Sequence, residues 1–262
     1  LFSHNMTKEE RHNAILEQLI KTDAILVSDL SDRLAVSSVT IRKDLTELEK
    51  AGKLYRSHGK AIAINPFTGN RTVNEKENPE EKYNIGMEAA KFIEPNDSII
   101  LASGTTIHAF AHCINPAHKL TVVSASLQAS IVLSQEDNID IIQLGGMLRH
   151  SSESVVGEYS ESILNGCSFS KLFMGVDGID LDFGFTTTDM REAHLNQQMM
   201  KAAQKTIILA DASKFGRRGF AKISNMEDVD VIITDAHIKP MDRQRIEELG
   251  IELVIVGEPT LR

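Results

Sequence analysis

Apolar positions recur at helical spacing through the first sixty-odd residues. Ile15, Leu16, Leu19 and Ile20 follow Thr7 and Glu10, which stand three apart as a capping box requires, and together they predict a first helix. Ser28 is the expected cap of a short second helix carrying Leu30 and Leu34. Val36-Ser37 predicts a tight turn, and Ser37 or Ser38 the cap of a third helix that stops before Gly52. Lys53–Arg56 and Ala61–Ile64 read as two short strands around Ser57-His58-Gly59-Lys60. The order helix, helix, helix, hairpin is expected to form a first domain over 6–64.

Residues 65–78 are polar, contain Pro66 and Gly69, and show no apolar period, so they predict a linker. Beyond it the pattern changes. Short apolar runs recur at Ser98–Ala102, Leu120–Ser124, Ile139–Leu144, Lys171–Val176, Thr206–Ala210, Val229–Thr234 and Glu252–Val256. Helical stretches separate most of them, at 79–94, 106–114, 126–135, 189–204 and 240–249. Strand and helix in alternation predict an α/β domain over 79–262, a mainly parallel, Rossmann-like sheet flanked by helices.

The third helix is the sharpest element. At about 100° per residue, Ile41, Leu45 and Leu48 fall on one stripe, while Val39, Thr40, Arg42, Lys43 and Thr46 fall on the other arc. Hydroxyls, two cations and a branched apolar group are what a major-groove helix offers to guanine edges, phosphates and thymine methyls. Thr40 and Arg42 are expected at base edges, and Ser37, Ser38, Lys43 and Arg56 at phosphates. The hairpin with Arg56, His58 and Lys60 reads as a wing touching phosphate or the minor groove.

Charge sharpens this picture. Of the 262 residues, the first 65 hold ten Lys/Arg and nine Asp/Glu, and residues 36–60 hold six against three. The remainder holds eighteen against twenty-eight, giving the chain its net charge of −9. An acidic body with a small basic head is compatible with a nucleic-acid partner. Hydrophobic residues at 42% and charged residues at 25% exclude wholesale disorder. The sequence shows neither a membrane-length apolar run nor a signal-peptide pattern after the segment ahead of Met6. Cys113 and Cys167 cannot build a disulfide framework, so a cytoplasmic protein is expected.

Candidate ligand chemistry sits at strand-to-helix turns. Ser98–Ala102 runs into Ser103-Gly104-Thr105-Thr106 and then a helix, which would leave free N–H groups and a favourable dipole for an anion. Ser124-Ala125-Ser126 and Gly145-Gly146 with Arg149 follow two other strands. In a parallel sheet such turns emerge on one edge, where ligands bind. Asp177 and Asp180, with Lys214, have the chemistry of acid/base groups for an isomerase; attachment to a DNA-reading head favours ligand binding without reaction. His108 and His112 with Cys113 lack a third metal ligand at motif spacing, and no metal is expected.

The stretches RHNAILEQL and VSDLSDRLAVSSVTIRKDLTELEKAGKLYRSHG resemble the DeoR family of bacterial transcription regulators, which open with a winged helix-turn-helix. SGTT, LGGMLR, GVDGID, FGFTT with Glu192, and ADASKFG extend the resemblance over about residues 8–256, into that family's sensor domain. That domain is similar to folds of the ribose-5-phosphate isomerase and CoA-transferase-like type. The resemblance implies a repressor of carbohydrate genes that binds operator DNA as a homo-oligomer, without cofactor or catalytic residues. It implies a phosphorylated sugar as effector, held by Gly104, Thr105, Thr106, Ser124, Ser126, Gly145, Gly146, Arg149 and Lys214. Asp177, Phe185, Thr186 and Glu192 would address its sugar portion. The rival expectation is a sugar-phosphate isomerase with an accessory head. Three positions depart from the family pattern: Lys43 for a second arginine, Lys60 for a second glycine, and Ala102 for an aspartate. Lys43 keeps the charge but lacks the bidentate fork of arginine.

Overall fold

A computed structural model describes residues 6–22, 24–50, 53–57, 60–63 and 78–257. The chain divides into two compact units, Leu1–Thr68 and Gly69–Arg262. His58 and the segment 64–77 lie outside the described residues.

The first unit is built from α1 (Lys8–Thr22), β1 (Ala24–Leu26), α2 (Val27–Leu34), α3 (Ser38–Lys50), β2 (Leu54–Ser57) and β3 (Lys60–Ala63). The capping box at α1 forms as its spacing predicts: Glu10 N–H donates to Thr7 Oγ1 at 3.3 Å, and Thr7 N–H donates to Glu10 Oε2 at 2.8 Å. Ser37 caps α3, its hydroxyl accepting from Thr40 N–H at 3.2 Å. Ser28 does not cap α2. That helix begins two residues earlier, behind Leu26, and the Ser28 hydroxyl donates to Asp29 instead. The reason is β1, a three-residue strand too short to show a period, which pairs antiparallel with β3 and sets where α2 starts. Ile15, Leu19, Leu30, Ile41, Leu45, Leu48 and Leu54 close one small core.

The second unit is a seven-stranded sheet of β4 (Ser98–Leu101), β5 (Leu120–Ser124), β6 (Ile139–Gln143), β9 (Phe169–Met174), β12 (Ala203–Leu209), β14 (Val231–Asp235) and β15 (Glu252–Val256). Their order is β15-β14-β12-β9-β4-β5-β6, and every pairing is parallel. Alternate residues serve two cores. Ile99, Leu101, Phe173 and Ile207 face α4 (Pro79–Ala90), α5 (Thr105–Ala111) and α6 (Leu127–Leu133). Ile100, Leu172, Met174 and Ile208 face α7 (Glu158–Leu164), α8 (Met190–Ala202) and α9 (Pro240–Glu248). Burial on both faces is why these strands read as continuous apolar runs.

Two small antiparallel pieces complete the unit. One is the hairpin β7 (Met147–Arg149) with β8 (Ser154–Val156); the other is β10 (Gly178–Asp180), β11 (Gly184–Thr187) and β13 (Ala221–Ser224). The chain starts the large sheet at β4, runs outward through β5 and β6, then returns to β9 on the other side of β4. The direction of winding reverses there. Such a switch point leaves a crevice at the carboxyl edge of the strands.

Candidate functional site

On the first unit, α3 presents its functional groups by exclusion. Ile41 and Leu45 are fully buried, so Arg42 and Lys43 on the other arc are exposed. Ser37 and Thr40 are tied to each other, their hydroxyls 2.9 Å apart, and Ser38 opens the helix half-buried. Arg56 lies on β2.

Asp44 is the residue of this unit that periodicity missed. It is buried on α3 and accepts from Arg11 Nε at 2.8 Å and from a second Arg11 nitrogen at 3.1 Å, a two-point clamp. His12 Nε2 stands 3.3 Å from the same carboxylate. Donating to Asp44 raises the pKa of the Arg11 guanidinium above its ordinary value, against a smaller lowering by burial. The clamp binds α1 to α3 and neutralises the acid next to Arg42 and Lys43 in sequence, while Glu47, four residues after Lys43, pairs with Lys8. A charged residue at a helical core position, paired with RH at the head of α1, was the available signal.

On the second unit a cleft opens at the switch point, between the ends of β4 and β9. Ser103, Gly104, Thr105 and Thr106 form one wall, Gly175, Val176 and Asp177 another, with Ser126, Arg149, Thr187, Glu192 and Lys214 around them. Gly104 sits at φ +115° and ψ 167°, a conformation that glycine alone adopts without strain. It turns the chain from strand to helix so that the first N–H groups of α5 have no carbonyl four residues back. Gly175 serves closeness instead: a Cβ there would stand 3.1 Å from the carbonyl of Ser103.

The charged groups are mostly committed to one another. Arg149, on the hairpin, donates to Glu192 of α8 in a very short contact, stands 3.4 Å from Asp189 and donates to Ser152 at 3.0 Å. Glu192 also accepts from the Ser103 hydroxyl at 2.8 Å. Burial pushes the Glu192 carboxyl up, Arg149 pulls it down and the charge of Asp177 pushes it up again, leaving it raised. The Thr187 hydroxyl stands 2.9 Å from Asp177 Oδ2 and 3.1 Å from Glu192 Oε2, bridging the two acids. Asp177 Oδ2 accepts from Thr188 N–H as well, at 3.0 Å. Lys214, on a single turn of 3-10 helix after β12, makes no ion pair among the described residues; its charge acts on Asp211 at longer range.

Of the residues expected to hold a ligand, Gly104, Thr105, Thr106, Ser126, Arg149, Asp177, Glu192 and Lys214 meet around this cleft. Five lie elsewhere. Ser124 is fully buried and its hydroxyl turns back onto Ser126, accepting from the N–H and donating to the carbonyl. Gly145 and Gly146 lead into β7, where the carbonyl of Gly145 accepts from Ser160 and Gly146 packs on the carbonyl of Val156. Phe185 belongs to the core between sheet and α8. Thr186 faces away, donating to Gly178 and accepting from Gly219 N–H at 2.7 Å. Successive strand residues point to opposite faces, so it is Thr187 that enters the cleft. Sequence reasoning missed Thr187, Thr188, Gln128 and Ser152, all of which line it, and named Ser103 only as part of the turn.

Other sequence candidates are placed as plainly. His108 and His112 stack edge to face at 4.9 Å, and no group of three or more metal-ligating side chains occurs among the described residues. No described helix is long and apolar enough to cross a membrane.

The chain matches the DeoR-like helix-turn-helix domain over residues 11–67 and the DeoR C-terminal sensor domain over residues 77–236. It is 36% identical over 253 residues to the uncharacterized HTH-type transcriptional regulator YulB of Bacillus subtilis, covering 96% of this chain and 98% of that protein. It is 33% identical over 250 residues to a lactose phosphotransferase system repressor of Streptococcus mutans, covering 94% and 97%. Among solved structures it is similar to ribose 5 phosphate isomerase A from Neisseria gonorrhoeae, with a TM-score of 0.39, 18% identity and 57% of each chain covered. With the sensor match spanning more than half of its length and relatives above 30% identity aligned nearly end to end, the chain belongs to the DeoR family of DNA-binding transcription regulators.

Proposed function

We propose that this regulator is a cytoplasmic repressor of carbohydrate-utilisation genes whose operator affinity is set by a phosphorylated sugar. One observation carries the ligand assignment. The amides of Gly104, Thr105 and Thr106, the ammonium of Lys214 and the carboxylate of Asp177 meet around one crevice at the switch point. A phosphate is so strongly hydrated that it enters only against several charge-assisted hydrogen bonds, and the amides with Lys214 offer them. Asp177, Thr187 and Glu192 lie beside that anion position and are acceptors or hydroxyls, suited to sugar hydroxyls. The relatives named as repressors of a lactose phosphotransferase system and as the repressor GlcR of Bacillus subtilis support the sugar assignment.

Binding without turnover is the economical use of this site. Asp177 already accepts two hydrogen bonds on one oxygen, and Lys214 is not paired with it, so the two are arranged as ligand contacts. Operator contact falls to the exposed arc of α3 and its cap, with Thr40 and Arg42 at base edges and Ser37, Ser38 and Lys43 at phosphates, and to the wing, with Arg56 and His58 at phosphates. One such head reads a half-site, so the working form is at least a homodimer.

A thermal-shift screen of sugar phosphates on the full chain tests the reading. A sugar phosphate that raises the melting temperature should also change retardation of promoter DNA, and light scattering should report at least a dimer. Turnover of a pentose or hexose phosphate without any effect on DNA would replace this reading with the isomerase one.

A further inference from the structure

Val39 breaks two local rules at once. It is 58% exposed, whereas Ile41, Leu45 and Leu48 on the other side of α3 are at most 3% exposed. It is also β-branched in the first turn of a helix, where branching restricts side-chain rotation and lowers helix propensity. A lone exposed apolar side chain needs no explanation on most surfaces. Its position supplies one here. At about 100° per residue, Val39 lies within about 60° of Arg42, Lys43 and Thr46, in the middle of the exposed arc.

The neighbours on that arc leave one chemistry uncovered. Arg42 and Lys43 offer cations, which suit guanine edges and phosphates. The Thr46 hydroxyl donates to the carbonyl of Arg42 at 2.7 Å, and the Thr40 hydroxyl stands against Ser37, so both are turned into the helix backbone or its cap. Thr40 and Thr46 each carry one methyl group but are only half-exposed; among the described residues Val39 is the exposed apolar side chain of α3, near the end that recognition helices aim at base edges. Thymine alone carries a methyl group in the major groove. We infer that Val39 is a specificity-determining residue, whose side chain packs on the 5-methyl group of a thymine in each half-site. The inference rests on α3 entering the major groove, the assignment made above.

The test uses the full chain and a motif selected from random duplex DNA, in which each thymine is then replaced singly by uracil, removing only the methyl. One replacement per half-site should weaken binding by the parent about 3–5-fold, the worth of one buried methyl. Val39→Ser should weaken binding to the thymine duplex by a similar factor and show no further loss with uracil, the signature of a direct pair. Because Val39 is exposed, this variant should keep the parent melting temperature. Arg42→Ala separates the two levels of failure. If it leaves the selected motif unchanged, the placement of α3 is wrong. If it relaxes the motif while every uracil penalty survives in Val39→Ser, or if no thymine shows a penalty, the role of Val39 is wrong and that of α3 stands.

Discussion

The two candidate sites hold charge in opposite ways. On α3, Arg42 and Lys43 stand exposed, while the nearby acids Asp44 and Glu47 pair with Arg11 and Lys8 of α1. In the cleft, Arg149, Glu192, Asp189, Asp177 and Thr187 satisfy one another, and Lys214 makes no ion pair among the described residues. The difference matches the two kinds of partner. A polyanion is captured by unpaired cations that release its counterions, with strong dependence on salt. A small solute in a half-closed crevice meets groups already fixed in place, so discrimination comes from which of them it can satisfy.

Breaking the brace behind the basic arc should have the largest effect. Asp44→Ala leaves Arg11 without its partner in a nearly buried position, and should destabilise the first unit by about 2–3 kcal/mol. Urea denaturation should show an earlier first transition and an unchanged transition of the sensor unit. Equal loss in both would mean that the clamp is not local to the head. Arg42→Ala should cost about 1–3 kcal/mol of operator binding and relax sequence preference. Lys43→Ala should instead weaken all sequences and lower the salt slope by about one. Identical behaviour of the two variants would erase the distinction between reading and positioning on this arc.

On the cleft side, Gly104→Asp should abolish the ligand effect on DNA binding, a coupling of about 1–3 kcal/mol, while operator affinity without ligand is kept. Gly104→Ala is its necessary partner. Nothing stands within 4 Å of a Cβ there, but φ is +115°, so both variants carry the backbone strain and only the aspartate carries the charge. Loss of ligand response in both would assign the effect to backbone geometry. Thr187→Val removes the hydroxyl that bridges Asp177 and Glu192 and should weaken ligand binding by about 1 kcal/mol in calorimetry, leaving DNA affinity unchanged.

The smallest effect lies far from both sites. Lys171, buried on β9, donates to Asp97 at 2.6 Å and to Glu94 at 3.0 Å. Burial pushes the Asp97 carboxyl up, but the bonds from Lys171, the Glu94 backbone and Ser170 outweigh it and hold the carboxyl below the ordinary range. Its contribution is therefore present above the unfolded value of about 4 and is lost as pH falls through the lower folded value. Asp97→Asn should flatten the acid limb of the sensor unit's stability; an unchanged limb would show the pair to be inert.

The seven large-sheet strands were legible because each carries a short apolar run; inner strands such as β4 and β14 are buried on both faces, whereas β6 at one edge is partly exposed. β1, β7, β10 and β11 were not, since three or four residues carry no period and their pairing is decided by distant partners. Around the cleft, glycine and hydroxyl turns marked the right strand ends but not the right side chains. Thr186 and Thr187 are equivalent in composition; only the register of β11 against Gly178 and Lys222 separates them. Ser124 and Ser126 likewise differ only in that one hydroxyl folds back on the chain while the other caps α6. Asp44 was hidden because a carboxylate on a buried stripe looks like a pattern error until Arg11 is found against it.

The prior engagement of Arg149 bears on what the cell's ordinary solutes can do. A phosphate arriving beside this guanidinium exchanges one carboxylate for another anion, with little net Coulomb gain, because Glu192 and Asp189 are already there. Among the described cleft residues, Lys214 and the α5 amides are the groups left for an anion. On the proposed reading, free inorganic phosphate would use that position only, whereas a phosphorylated metabolite would reach Asp177 and Thr187 as well. The internally paired cleft would then discriminate against background anions, and the genetic response would follow the metabolite rather than the phosphate supply.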